Sequence, residues 1–119
     1  MEKPHKKLEA WNQSMDLVVE IYKATEQLPK QEIYGLTNQV RRAAVSIPCN
    51  IAEGAARQTK KEFTNFLHIA QGSLSELDTQ IEIASRLGYL DVECRTSLDE
   101  KMEPVDKMIT GLIRHLSKK

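Results

Sequence analysis

The side chains best placed to do chemistry in this chain of 119 residues fall on two lines. Ser46, Asn50, Glu53 and Arg57 are spaced four, three and four, which sets them on one side of a helix beside an apolar stripe. Glu62, Phe66, Ile69, Ser73, Glu76, Gln80, Ile83 and Leu87 form a second line, apolar at both ends and polar in the middle. If the two lines face one another, Asn50 and Glu53 approach Ser73 and Glu76, with Arg57 at hand to neutralise a carboxylate. One chemistry this suggests is a catalytic carboxylate pair, Glu53 with Glu76. Another is a metal site of the bundle-carboxylate type. Such sites take Glu-x-x-His on inward faces, and His5, His68 and His115 stand outside that spacing. The reading with more behind it is structural: Ser46, Asn50, Glu53, Arg57, Ser73 and Glu76 form a hydrogen-bonded network that fixes helix register, because buried polar groups are tolerated only when paired.

Other reactive residues point the same way. Cys49 has no base at helical spacing, and Cys49 with Cys94 makes neither C-x-x-C nor a Cys/His zinc pattern. His68 lies on the polar side of its helix. Trp11 and Tyr22 recur at core spacing, and Gly72 reads as a point of close packing. No catalytic residue, metal or cofactor is expected. Basic residues cluster at Lys3 to Lys7, Arg41 with Arg42, Arg57 to Lys61 and the C-terminus, so the candidate nucleic-acid contacts are Arg41, Arg42, Arg57, Lys60 and Lys61. No aromatic residues interleave with them for base stacking. With 17 basic and 17 acidic residues there is no global field, and any such contact is local. No apolar run approaches the roughly 20 residues of a membrane span, and a reducing cytoplasm is the expected location.

These residues need helices to position them. The composition, 40% hydrophobic but only 5% aromatic with 29% charged, suits packed amphipathic helices in one domain. After a polar, frayed arm from Met1 to Lys6, the first helix spans about residues 7–28. Its core stripe is Leu8, Trp11, Met15, Val18 and Tyr22 with Val19 alongside, and a second stripe of Ser14, Leu17, Ile21, Ala24 and Leu28 faces another partner. Pro29 ends it. The second helix, 36–56, buries Leu36, Val40, Ala43, Ala44, Ile47, Ile51 and Gly54 and is bent by Pro48. The third, 59–87, opens on a Thr59/Glu62 capping box, carries Phe63, Leu67, Ala70, Leu74, Leu77, Ile81 and Ala84, and stops at Gly88. The fourth, 91–116, buries Leu98, Met102, Val105, Ile109, Leu112 and Leu116. Pro104 kinks it, or divides it if Ser97 to Glu100 is a second capping box. Short loops make the whole an all-α, antiparallel up-down-up-down four-helix bundle.

The stretches Gln39-Val-Arg-Arg-Ala-Ala-Val-Ser-Ile-Pro-Cys-Asn-Ile-Ala-Glu-Gly54 and Phe63-Thr-Asn-Phe-Leu-His-Ile-Ala-Gln-Gly-Ser-Leu-Ser-Glu-Leu77 resemble the bundle proteins encoded in intervening sequences of bacterial 23S ribosomal RNA genes. These are related to the accessory variability protein of diversity-generating retroelements. The resemblance runs from Trp11 to Leu116. It implies a bacterial cytoplasmic protein assembled as a homopentameric ring and, for the retroelement relatives, a reverse transcriptase partner and nucleic-acid binding through a basic surface. It brings no catalytic residues. The expectation is a non-enzymatic oligomeric scaffold that binds RNA or a protein partner, with Leu17, Ile21, Leu28, Phe66, Ile69, Ile83 and Leu87 as the ring interface. A bundle enzyme or metal carrier using Glu53 and Glu76 is the alternative.

Overall fold

The computed structural model describes residues 3–118, so Met1, Glu2 and Lys119, which the expected arm and basic tail include, lie outside the described residues. Four α-helices follow one another: α1 (Glu9–Thr25), α2 (Leu36–Ala55), α3 (Lys60–Arg86) and α4 (Val92–Ser117). No strand occurs among the described residues. Each helix packs on the next and α4 closes against α1, which gives a four-membered bundle 47 Å long and 24 by 21 Å across. Contacts between Thr25 and Arg41, Ser46 and Ser73, and Gln71 and Thr110 set successive helices antiparallel.

Local chemistry explains the boundaries. The Thr59 hydroxyl accepts the Glu62 amide at 3.2 Å and donates to the Glu62 carboxylate at 2.9 Å, so the capping pair satisfies an early amide of α3. At the other end Gly88 adopts a φ of 80°. The Tyr89 and Gly88 amides donate back to the Ala84 and Ser85 carbonyls, the double bond of a Schellman stop. Asp91 caps α4 by accepting the Cys94 amide at 2.7 Å.

The first helix differs from the sequence expectation in which stripe it buries. Ala10, Ser14, Leu17, Ile21, Ala24 and Thr25 point into the bundle, whereas Met15, Val19 and Tyr22 are exposed and Leu8, Trp11 and Val18 half-buried. Leu17, Ile21 and Leu28, expected at a subunit interface, are 1%, 0% and 8% exposed, and so belong to the protomer's own core. The reason is size and self-satisfaction. Ser14 and Ala24 let α2 and α4 come close on this face. The hydroxyls of Ser14 and Thr25 donate to the carbonyls of Trp11 and Ile21 one turn back, which makes their burial inexpensive.

Further differences are smaller. α1 ends at Thr25, and Glu26 to Leu28 form turns before Pro29 rather than helix. The arm is not frayed from Pro4 onward: Pro4–Lys7 is a 3-10 turn, with the His5 ring edge-on to Trp11 at 4.9 Å. Pro104 neither ends nor divides α4, which is one helix of 26 residues. Gly72 has nothing within 4 Å of where a Cβ would stand, so it permits no close approach. Gly54 does. A Cβ there would lie 2.8 Å from Phe66 Cβ, 2.9 Å from Phe63 Cδ1 and 3.2 Å from the Phe63 carbonyl, marking the tightest approach of α2 to α3 at a glycine.

Candidate functional site

The α2–α3 seam brings some of the expected residues together and separates others. At its centre the Ser46 and Ser73 hydroxyls share a hydrogen bond of 2.8 Å, while Asn50 Nδ2 donates to the Ser46 carbonyl at 2.8 Å and to its hydroxyl at 2.9 Å. All three residues are half-buried. This is a small network joining both helices.

Glu53 and Glu76 belong to opposite ends of it. Glu53 pairs with Arg57 one turn on, and the Arg57 guanidinium also lies 4.9 Å from the Phe66 ring centre and 4.0 Å from the Glu62 carboxylate. Glu76 instead accepts from Gln80 Nε2 at 3.1 Å. With Ser46 opposite Ser73, antiparallel register sets Glu53 opposite Phe66, ten residues before Glu76 and about 15 Å away along α3. The expected Glu53/Glu76 carboxylate pair is therefore not formed. Among the described residues no three His, Cys, Asp or Glu side chains are grouped to hold a metal ion.

The basic residues divide as well. Arg41 is committed to α1: its Nε donates to the Thr25 hydroxyl at 2.9 Å and its guanidinium lies over the Tyr22 ring at 4.6 Å. Arg42 is exposed and makes no ion pair among the described residues. Lys60 and Lys61 are exposed in the first turn of α3, where the helix dipole disfavours cations.

Two grooves flank the outer ridge of α2, with Asn38, Arg42 and Ser46 shared between them. The α1–α2 groove, about 510 Å³, is lined by Tyr22, Ile33, Arg41 and Val45. The α2–α3 groove, about 530 Å³, is lined by Gln39, Ser73, Glu76 and Gln80. Gln80 is 8% exposed, and its Oε1 is buried without a hydrogen-bond partner. Tyr22 is exposed at the edge of the α1–α2 groove, and outside the grooves stand exposed apolar residues, Met15 and Val19 on α1 and Ile69, Ile83 and Leu87 on α3, while Phe66 is half-buried beneath Arg57.

Two clusters escaped the sequence reading. Arg95 on α4 reaches Asp78 at 2.9 Å, Asp99 at 3.4 Å and Glu82 at 3.5 Å. A hydrogen bond from Arg86, with the charges of Arg86 and Arg95, holds the Glu82 carboxyl below its usual range against a desolvation push upward. The i, i+4 spacings Glu82/Arg86 and Arg95/Asp99 were visible in the sequence; the bridge between helices was not. At the end of the bundle Glu32 accepts both the Leu36 amide at 3.2 Å and the Tyr89 hydroxyl at 2.9 Å, tying the α1–α2 loop to the α3–α4 turn. The Glu32 bond and burial raise the Tyr89 phenol above its ordinary pKa. Burial also raises the Cys94 thiol, helped by the charge of Asp91 and opposed by a hydrogen bond from Gln27, so this cysteine is a poor nucleophile.

No helix among the described residues is long and apolar enough to cross a membrane. Comparison with curated proteins returned no match. Among solved structures the fold is similar to that of a protein of unknown function from the S23 ribosomal protein family of Bacteroides thetaiotaomicron, with a TM-score of 0.81 and 24% identity over 88% of this chain and 95% of that one. The sequence model of the 23S rRNA-intervening sequence proteins matches residues 6–111, which takes in α1, α2, α3 and most of α4, and the chain belongs to that family.

Proposed function

We propose that this protein is a non-enzymatic assembly unit: a bundle that associates with copies of itself into a closed ring, five-membered as the family resemblance implies, and serves as a scaffold in the cytoplasm. The observation that carries the reading is the pair of exposed apolar stripes on the two flanks of α2, Met15, Val19 and Tyr22 on one side and Ile69, Ile83 and Leu87 on the other. A ring needs two different complementary surfaces on each copy, and one helix flanked by two apolar stripes supplies them. The revised interface therefore keeps Ile69, Ile83 and Leu87 and replaces Leu17, Ile21 and Leu28 with the α1 residues that face outward. Light scattering tests it: an oligomer at micromolar concentration is expected, and a monomer there ends the proposal.

The ring's partner is RNA in this reading, supported by the family's description and by Lys60 and Lys61, two cations held where the helix dipole opposes them. A phosphate would relieve that opposition, and repetition around a ring would add weak contacts into a useful affinity. Arg42 joins them as an exposed cation, whereas Arg41 and Arg57 are already engaged. Gel shifts with structured RNA at low and high salt, repeated with Lys60→Glu and Lys61→Glu, test this half. Strongly salt-dependent binding weakened by both changes is expected. With no shift at low salt, a protein partner, a reverse transcriptase in the retroelement relatives, takes the place of RNA.

A further inference from the structure

The α1–α2 groove differs from its neighbour in charge. Two arginines, Arg41 and Arg42, line it and no carboxylate does, whereas the α2–α3 groove carries Glu76. Neither arginine has an ion pair among the described residues. Arg41 is half-buried, and its two anchors on α1, the Thr25 hydroxyl at 2.9 Å and the Tyr22 carbonyl at 3.4 Å, are neutral acceptors. They fix the guanidinium without neutralising it and leave its Nη1 unpaired. A half-buried charge lacking a counter-ion is a cost to the fold that an anion in the groove would remove.

Thr37 supplies an independent sign. It lines the same groove and is only 6% exposed, yet its hydroxyl makes no hydrogen bond among the described residues. Ser14 and Thr25 satisfy themselves on carbonyls one turn back, but Thr37 is the second residue of α2 and has no helical carbonyl behind it. Unlike Gln80 Oε1, the Thr37 hydroxyl is not sealed from solvent. The backbone amides of Thr37 and Asn38 also lack acceptors among the described residues. Glu32, which caps the Leu36 amide, is turned to Tyr89 and does not line the groove. At helical spacing Thr37, Arg41 and Val45 form one line along α2, and Asn38, Arg42 and Ser46 the next. The hydroxyl is thereby set beside one guanidinium and the Asn38 amide beside the other.

These donors suit a phosphoryl group. A phosphomonoester offers three terminal oxygens and about two negative charges, which two guanidiniums and a hydroxyl match better than they match a singly charged carboxylate. Beside them Tyr22, Ile33 and Val45 give an apolar wall, in a groove whose volume of about 510 Å³ is that of a small-ligand site. We propose that the α1–α2 groove binds a nucleotide, its phosphate held by Arg41, Arg42 and Thr37 and its base against Tyr22, Ile33 and Val45. A free nucleotide and the 5′-phosphorylated end of an RNA carry the same group. Met15, Val19, Lys60 and Lys61 do not line this groove, so the site stands apart from both the ring and the lysines of α3.

Isothermal titration tests it with adenosine monophosphate, adenosine, and an adenylate trinucleotide with and without a 5′-phosphate. The ligands bearing a terminal phosphate are expected to bind at least roughly 10-fold more tightly than those without. Binding by the monophosphate alone assigns the free nucleotide, and binding by the phosphorylated trinucleotide as well assigns the RNA end too. Adenosine binding as tightly as its monophosphate, a trinucleotide indifferent to its 5′-phosphate, or no heat from the monophosphate at millimolar concentration overturns the proposal. Arg42→Gln and Thr37→Val should each weaken the monophosphate roughly 5- to 10-fold. Lys101→Gln, which removes one exposed charge from α4, should leave it unchanged, and an equal loss there would reduce the binding to a general charge effect and end the proposal. Because its hydroxyl has no partner, Thr37→Val should melt no lower than the parent, which separates lost binding from lost fold. Lys60→Glu and Lys61→Glu should keep the monophosphate. A failed RNA gel shift with the monophosphate still bound removes only the RNA reading, whereas a salt-dependent shift without monophosphate binding removes only this site.

Discussion

Gly54→Ala isolates the packing of α2 on α3. An alanine there gains up to about 1 kcal/mol of helix propensity, less so near the end of α2 where Gly54 sits. Against this stands a methyl placed 2.8 Å from Phe66 Cβ and 3.2 Å from the Phe63 carbonyl. The Phe63 ring can rotate away from its 2.9 Å contact, but a carbonyl and a Cβ move only if α3 itself moves. Separating the helices loosens Ile51, Leu67 and Ala70, each 0% exposed. Overpacking of this kind costs about 1–3 kcal/mol, so the net expected loss is about 1–2 kcal/mol, or about 4–8 °C in melting temperature for a chain of this size. Urea and thermal unfolding followed by helical circular dichroism read it directly. Gly72→Ala is the control: with open space around that Cβ, it should gain up to about 1 kcal/mol. If Gly54→Ala is as stable as the parent, the close approach of α2 to α3 is not what that glycine provides, and the account of the seam fails.

Four further outcomes follow from the same geometry. Ser46→Ala and Ser73→Ala should each cost about 1 kcal/mol and show a coupling of similar size in a double-mutant cycle, since the 2.8 Å bond between them joins two helices. Glu53→Ala should leave the fold intact and change stability by less than about 0.5 kcal/mol, because the Glu53 side chain is 53% exposed in its pair with Arg57. Arg95→Ala should cost about 1–2 kcal/mol, lessened by salt, because it leaves Asp78, Glu82 and Asp99 without the cation that joins them. The raised pKa of Tyr89 means the folded state holds that proton more tightly than the unfolded one. Its stabilising contribution is complete below the ordinary value of 10.0 and is lost as the pH climbs through the folded value. Urea titrations from about pH 8 to 11 should show the advantage of the parent over Tyr89→Phe shrinking at the alkaline end.

Period and caps were legible in the sequence, whereas the choice of face was not. The α3 stripe Leu67, Ala70, Leu74, Leu77, Ile81 and Ala84 is buried where its spacing sets it, and the Thr59 and Gly88 signals act as their chemistry requires, whereas the Asp91 cap of α4 emerges only from the structure. On α1 two stripes competed, and hydrophobicity favoured the one with Trp11, Met15, Val18 and Tyr22. Packing favoured the other because Ser14 and Ala24 admit neighbouring helices and a helical hydroxyl can satisfy itself on its own backbone, neither of which a hydrophobic count registers. For the seam, helical spacing gave the right line but not its order across two helices. Only the antiparallel register set by Ser46 and Ser73 shows that Glu53 and Glu76 are too far apart to act as a pair.

The polar residues of α2 thus separate by direction. Those turned towards α3 are spent on structure: Ser46 and Asn50 bond across and along the seam, and the Gly54 backbone lies against two phenylalanines. Those turned outward, Asn38 and Arg42, have no side-chain partner among the described residues and form the crest between two grooves. A residue paired within the protomer has little recognition energy left to give, since a new contact must first break the old one. Around α2 the accessible side-chain groups without a partner among the described residues include Asn38, Gln39, Arg42 and the Tyr22 hydroxyl, bordered by exposed isoleucines, valine and methionine. That composition, apolar at the margins with unpaired polar groups between, has the mixed character of surfaces at which two folded chains meet.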